Sequence, residues 1–138
     1  ERAADPRPEA DSKFAGREGV IYTVQGKGGL VREVLLPSRL AERLEHVRLA
    51  SPVRVTDRGV FYQSQYAIGG GQRWSNAFSA ASMRTLGWSR GAHGVRHSYA
   101  QQRMQELQKL GLVRDMALRT VSQEMGHFRP EITETYLR

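Results

Sequence analysis

The stretch GAHGVRHSYAQQRMQELQKLG, residues 91–111, decides how this chain is read. It begins as a helix near Ala92 or Gly94 and runs through SYAQQRMQELQKL to Gly111, where a residue without a side chain supplies a C-terminal stop. Two of the chain's four histidines, His93 and His97, and the arginine Arg96 crowd into its first turn. The pattern around this helix determines whether that crowd is a metal site, a nucleophile or a phosphate pocket.

Toward the C-terminus, Thr120 with Gln123 reads as a capping box for a short helix that bears Val121 and Met125 and stops at Gly126. Pro130 suits the first turn of a terminal helix carrying Ile132 and Tyr136. Toward the N-terminus, Trp74, Phe78 and Ala81 mark a further helix after the glycine run Gly69, Gly70, Gly71, and both Trp74 and Trp88 read as packing residues. VRV and GVFY are short extended pieces around Asp57. SRLAERLEHVRL places Leu40, Leu44 and Val47 on one helical stripe.

GVIYTVQGKGGLVREVLLP sets β-branched and aromatic residues on either side of Gly26, Lys27, Gly28 and Gly29, the pattern of a β-hairpin with Lys27 at its tip. Residues 1–16 are polar, with prolines at Pro6 and Pro8, and read as a linker or disordered arm. The folded domain is then 17–138. The fold class expected is α+β, mainly α: a small antiparallel sheet or hairpin followed by a helical bundle.

Composition narrows the partner. The 138 residues hold 21 Lys and Arg against 14 Asp and Glu, for a formal charge of +7. No acidic residue occurs between Asp57 and Glu106, whereas Arg58, Arg73, Arg84, Arg90, Arg96 and Arg103 all fall there. Such a field favours a polyanion, because the guanidinium fork matches phosphate oxygens. There is no cysteine, which removes disulfides and thiolate zinc sites. No run approaches the roughly 18 apolar residues of a membrane span, so a soluble cytoplasmic protein is expected.

Three chemistries compete for the histidine-rich turn. His93 and His97 share a helix face and, with His127, suggest metal ligands; HGVRH, however, lacks the glutamate base of zinc-protease motifs. Ser98 follows His97, but adjacent helical residues point apart and no glycine-rich elbow surrounds the serine. The third possibility is metal-free phosphodiester cleavage, which needs cationic donors for nonbridging oxygens, a nucleophile, and an acid for the leaving oxygen.

Taken in order, GKGGLVR at 26–32, HGVRH at 93–97, and MGH at 125–127 followed by Tyr136 resemble the tyrosine recombinase, or phage integrase, family. The resemblance spans about residues 18–138, and because the interval from Arg96 to His127 is long for that family, it implies an enlarged loop near Gly111–Leu118. It implies the catalytic-domain fold of that family and a DNA strand-breaking and rejoining activity with no cofactor and no metal. Tyr136 would attack a DNA phosphate to give a 3′-phosphotyrosyl link; Arg96 would hold nonbridging oxygens; Lys27 would protonate the leaving 5′ oxygen. His93 would assist proton transfer and His127 would hydrogen-bond a nonbridging oxygen, with His97 supporting or packing. The implied partner is double-stranded DNA at a recombination site, bound by a dimer or tetramer of the protein, with neither a membrane nor a small-molecule substrate. The setting implied is a bacterial or phage-encoded protein of a mobile element.

The family also uses an earlier arginine in R-x-x-E. Arg2 precedes Lys27 at a fitting distance, but Ala3, Ala4, Asp5 and the two prolines follow it, so that arginine is expected upstream of this chain. The chain therefore reads as a piece of the catalytic domain, shortened on its N-terminal side and without the C-terminal tail, whose activity alone is an open matter. The rival expectation is a non-catalytic DNA-binding module derived from an integrase.

Overall fold

The computed structural model describes residues 10–25, 31–57, 59–69, 71–89, 91–127 and 130–137. Its described part is α+β, with two antiparallel strand pairs and five helices. The chain divides into two compact units, Glu1–Leu36 with Val95–Arg138, and Pro37–Gly94.

In the first unit, strands β1 (Val20–Gln25) and β2 (Val31–Leu36) pair antiparallel, Val20 opposite Leu36 and Gln25 opposite Val31. Side chains of directly paired residues share a sheet face. Val20, Tyr22 and Val24 therefore stand with Leu36, Val34 and Arg32. The expected Lys27 tip falls outside the described residues, as does Arg2.

Helix α3 (His93–Lys109) crosses from the second unit into the first, where it packs on α4 (Arg114–Met125). The core is the stripe Ala100, Met104 and Leu107 of α3 against Ala117, Leu118, Val121 and Met125 of α4, flanked by Tyr99, Leu112, Tyr136 and Leu137. The spacing of the α3 set is that of one helical face. Gly111, at φ 102°, ends the first helix, as the sequence indicates.

The second stop also holds, but the helix before it is longer than expected. Val113 is extended and Asp115 lies in the first turn, so α4 starts at Arg114 and takes up most of the supposed loop. Thr120 is not an N-cap. It sits in mid-helix, donating through Oγ1 to Met116 O at 2.8 Å. Gly126 (φ 77°) closes α4 in a Schellman turn, with His127 N donating to Ser122 O at 2.9 Å. The short α5 (Pro130–Glu134) packs on α4.

The end of α4 buries Thr120, Ser122, Gln123 and Glu124, polar groups that require partners once removed from water. The segment Ala10–Gly16 supplies several. Ala10 N donates to Gln123 Oε1 and Phe14 N to Glu124 Oε2, both at 2.7 Å, and Ser12 Oγ meets Thr120 Oγ1. This part of the supposed arm is thus a docked chain of turns, and Ala10 is buried.

Arg103 and Glu124, both with fully buried side chains, form the central ion pair. Arg103 Nε donates to Glu124 Oε1 at 3.0 Å and Nη2 to Oε2 at 3.1 Å. Its other donors reach Ala15 O at 2.8 Å and Glu106 Oε2 at 2.9 Å. Tyr99 OH donates to Glu124 Oε1 at 2.6 Å. Burial first, and then that bond, push the Tyr99 phenol well above its ordinary pKa, so it remains a neutral donor.

The second unit contains α1 (Ser38–Glu45), the hairpin β3 (Arg48–Asp57) with β4 (Val60–Tyr66), and α2 (Gly71–Leu86). The extended pieces around Asp57 are one antiparallel hairpin with a register shift between Arg48 and Val53. The expected stripe is cut short, because α1 ends at Glu45 and Val47 lies in the turn beyond it; Ala41 is enclosed, while Leu40 and Val47 are exposed. Trp74 stacks on Phe78 at 5.4 Å, yet Trp74 and Trp88 are both exposed, contrary to the packing role expected of them.

Two predictions follow from the buried pair. Removing one partner of a buried ion pair strands the other charge, so Glu124→Gln is expected to lower unfolding free energy by about 3 kcal/mol or more in urea titration; a loss below about 1 kcal/mol contradicts the central role. The Arg103 guanidinium, and more weakly that of Arg17, hold the Glu106 carboxyl below the usual glutamate range. A depressed carboxyl stabilises the fold above its unfolded-state pKa, and that contribution is lost as pH falls through the folded value. Stability measured from neutral to acid pH should therefore fall less steeply in Glu106→Gln than in the parent.

Candidate active site

The closing turn of α4 is where the conspicuous side chains of the first unit meet. Arg96, in the first turns of α3, donates through Nη2 to Met125 O at 3.0 Å and lies 3.2 Å from His127 Nε2. A guanidinium has no acceptor, so Nε2 of His127 receives this bond and carries a lone pair. The proton of the neutral ring is then on Nδ1, which donates to Thr133 Oγ1 at 2.7 Å. Thr133 is fully buried on α5, so the short helix fixes the plane of the imidazole.

Tyr136 follows α5 and is half-buried against the core. Its ring stacks on His127 with centroids 5.4 Å apart and planes at 19°, and meets the His97 ring at 4.8 Å and 53°. The Arg96 guanidinium carbon lies 5.6 Å from the Tyr136 ring centre. Arg96, His127 and Tyr136, singled out separately along the chain, are thus gathered in one place. His97, expected to support or pack, is the fourth side chain at that place and is itself exposed.

Lys27 lies outside the described residues. His93 is the first residue of α3, is exposed, and belongs to the Pro37–Gly94 unit, so the contacts that gather the other three do not place it. Ser98 is exposed, and Tyr99 points into the Glu124 network instead. Among the described residues no group of three or more histidine, aspartate or glutamate side chains is arranged to hold a metal ion.

Two residues of the site were given no role from the sequence, Thr133 and the Arg32 that closes the GKGGLVR motif. Arg32 of β2 donates through Nη1 to Glu124 O at 3.0 Å. It stands at a position of the hairpin face otherwise occupied by Val20, Tyr22, Val24, Val34 and Leu36, and a charge in an apolar register is a signal that alternation alone reveals. Thr133 carries no comparable mark. Gly126 serves this geometry twice, through its left-handed φ and through space, because a Cβ there would stand 2.6 Å from Arg32 Nε.

Compared with known protein families, curated proteins and solved structures, the chain matches none. Among the described residues no helix is long and apolar enough to cross a membrane.

The imidazole geometry is directly testable. Thr133→Val removes the acceptor of the Nδ1 proton at nearly constant volume, and is expected to cost about 1 kcal/mol. It should also shift the His127 ring nitrogens in 15N spectra toward a mixture of tautomers. Unchanged ring nitrogens would show that Thr133 does not set the tautomer.

Proposed function

We propose that this chain is a catalytic-domain segment of a tyrosine recombinase, which cleaves and rejoins DNA through a covalent link to Tyr136. The observation that carries the proposal is the convergence of Arg96, His127 and Tyr136 at one turn, with guanidinium, imidazole and phenol in mutual contact. Metal-free phosphodiester cleavage needs cationic donors, a nucleophile and an acid; Arg96 and Tyr136 are suited to the first two roles, and the motif order along the chain supports the same reading.

In the reaction, the Tyr136 oxygen forms a bond to phosphorus while the bond from phosphorus to the 5′ oxygen breaks. A phenol ionises near a pKa of about 10 in water, so its attack at neutral pH depends on nearby positive charge or on a base that takes its proton. Arg96 neutralises the nonbridging oxygens as negative charge develops on them. The lone pair on His127 Nε2 now faces Arg96, so donation to a phosphate oxygen requires the ring to gain or shift a proton when DNA enters. Lys27 is assigned the proton for the departing 5′ hydroxyl, and His93 a supporting role in proton transfer. Rejoining is the reverse attack by a 5′ hydroxyl, here from another strand.

The run without acidic residues after Asp57, with Arg58, Arg73, Arg84, Arg90 and Arg96, supports duplex DNA as the partner, engaged chiefly through its phosphates, whereas Arg103 of the same run is buried against Glu124. Recombination between two sites further calls for two or four copies on DNA. The protein should be incubated with a library of nicked duplexes whose cut strand loses its end after cleavage, and denaturation-resistant protein–DNA adducts counted. Tyr136→Phe should lower adduct formation by at least about a thousandfold. Equal adduct from that variant would remove Tyr136 as the nucleophile; salt-sensitive DNA binding with no adduct from either protein would point to a binding module instead.

A further inference from the structure

Two guanidiniums end on neighbouring carbonyls at the close of α4: Arg32 on Glu124 O and Arg96 on Met125 O, each at 3.0 Å. Other arginines of the same unit behave differently. Arg17 closes on Glu106 at 2.9 Å, Arg103 on Glu124 at 3.0 Å, and Arg114 on Glu134 at 2.8 Å. Among the described residues, neither Arg32 nor Arg96 has a carboxylate partner. Both are half-buried, which limits the screening that water provides.

The end of a helix tolerates cations because its free carbonyls are partly negative. That explains one contact per guanidinium, but each guanidinium has five N–H donors in a planar fork. Arg32 directs one of these groups to a carbonyl, and Arg96 directs one to a carbonyl and the imidazole. Two like charges set on neighbouring carbonyls, with most of their donors uncommitted and no acidic partner among the described residues, are arranged for an anion from outside.

We infer that Arg32 and Arg96 together form a two-guanidinium site for a single oxyanion, and that Arg32 is a second phosphate-binding residue beside Arg96. The identity of the anion as a DNA phosphodiester rests on the recombinase reading; the oxyanion site itself does not. Supporting it, burial and then the charge of Arg96 hold the Arg32 guanidinium below its ordinary pKa, the response of a cation to a like charge nearby. An anion bound between the two relieves that repulsion, and a tetrahedral phosphate offers each fork its own pair of oxygens.

The test uses the full chain with 15N-labelled arginine and inorganic phosphate as the probe. The Arg32 and Arg96 side-chain Nε–H resonances should move along one shared binding curve. An Arg32 resonance that stays fixed while Arg96 moves reduces Arg32 to a helix cap and overturns the inference. Arg32→Gln keeps an amide donor for the Glu124 carbonyl but removes the charge, and should weaken phosphate binding at least tenfold; Arg32→Lys, which keeps the charge without the fork, should restore part of it. Circular dichroism of each variant establishes folding, and the parent resonances decide the matter even where a variant does not fold. In the adduct assay Arg32→Gln should slow cleavage about a hundredfold, the usual effect of losing one donor to developing negative charge. Parental adduct rates in that variant overturn the inference while leaving the recombinase reading intact. Shared phosphate shifts with no Tyr136 adduct do the opposite.

Discussion

Everything in the first unit hangs on the buried ion pair between Arg103 and Glu124. Taking two charges out of water is expensive, and their mutual attraction offsets it only when the remaining donors and acceptors are also occupied. Here they are. The guanidinium reaches two glutamates and the carbonyl of Ala15, and the Glu124 oxygens also accept from Tyr99 and the Phe14 amide. The pair consequently fastens three pieces far apart in sequence: the Ala10–Gly16 turns, α3 and the end of α4. The carbonyl of the same glutamate receives Arg32. The site turn begins two residues later, so its placement inherits the rigidity of this network.

Much of the first unit was legible because its signals are local. The strand pair announces itself by β-branched and aromatic residues on either side of a glycine-rich stretch, and both helix stops sit at glycines whose φ is positive. The docked segment Ala10–Gly16 escaped for the opposite reason. It attaches through backbone amides and one serine to polar side chains on α4, so it needs no apolar periodicity of its own. Thr120 and Gln123 misled for a related reason. Their spacing imitates a capping box, but in a helix that begins at Arg114 they serve as partners for that segment. The exposed tryptophans show the limit of treating size and apolarity as burial.

The candidate site was legible to the extent that its chemistry is carried by uncommon residue types. Arg96, His127 and Tyr136 stood out as a histidine, an arginine and a tyrosine in a recognisable order, and the structure gathers them at one turn. Arg32 was legible as the last residue of GKGGLVR, but its place on an otherwise apolar face emerges only when the hairpin register is written out. Thr133 was not recoverable, because a threonine on a short helix is commonplace and its value comes from facing Nδ1 of His127. The contribution of Lys27 and His93 remains a matter of chemistry rather than of the described geometry.

Each of the two guanidiniums of the site rests on a main-chain carbonyl, and that of Arg96 also meets the His127 ring. Met125 therefore contributes to the site through an atom that every amino acid possesses. Substitution there leaves the anchoring oxygen in place as long as the helix persists. A scan that truncates side chains one at a time would score Met125 as core and Glu124 as an ion-pair partner, and would not detect either as an anchor. Gly126 alone would betray the arrangement, since any larger residue collides with Arg32. The site's sequence imprint is thus smaller than its physical extent, and homologous chains could drift at its anchoring positions without losing its geometry.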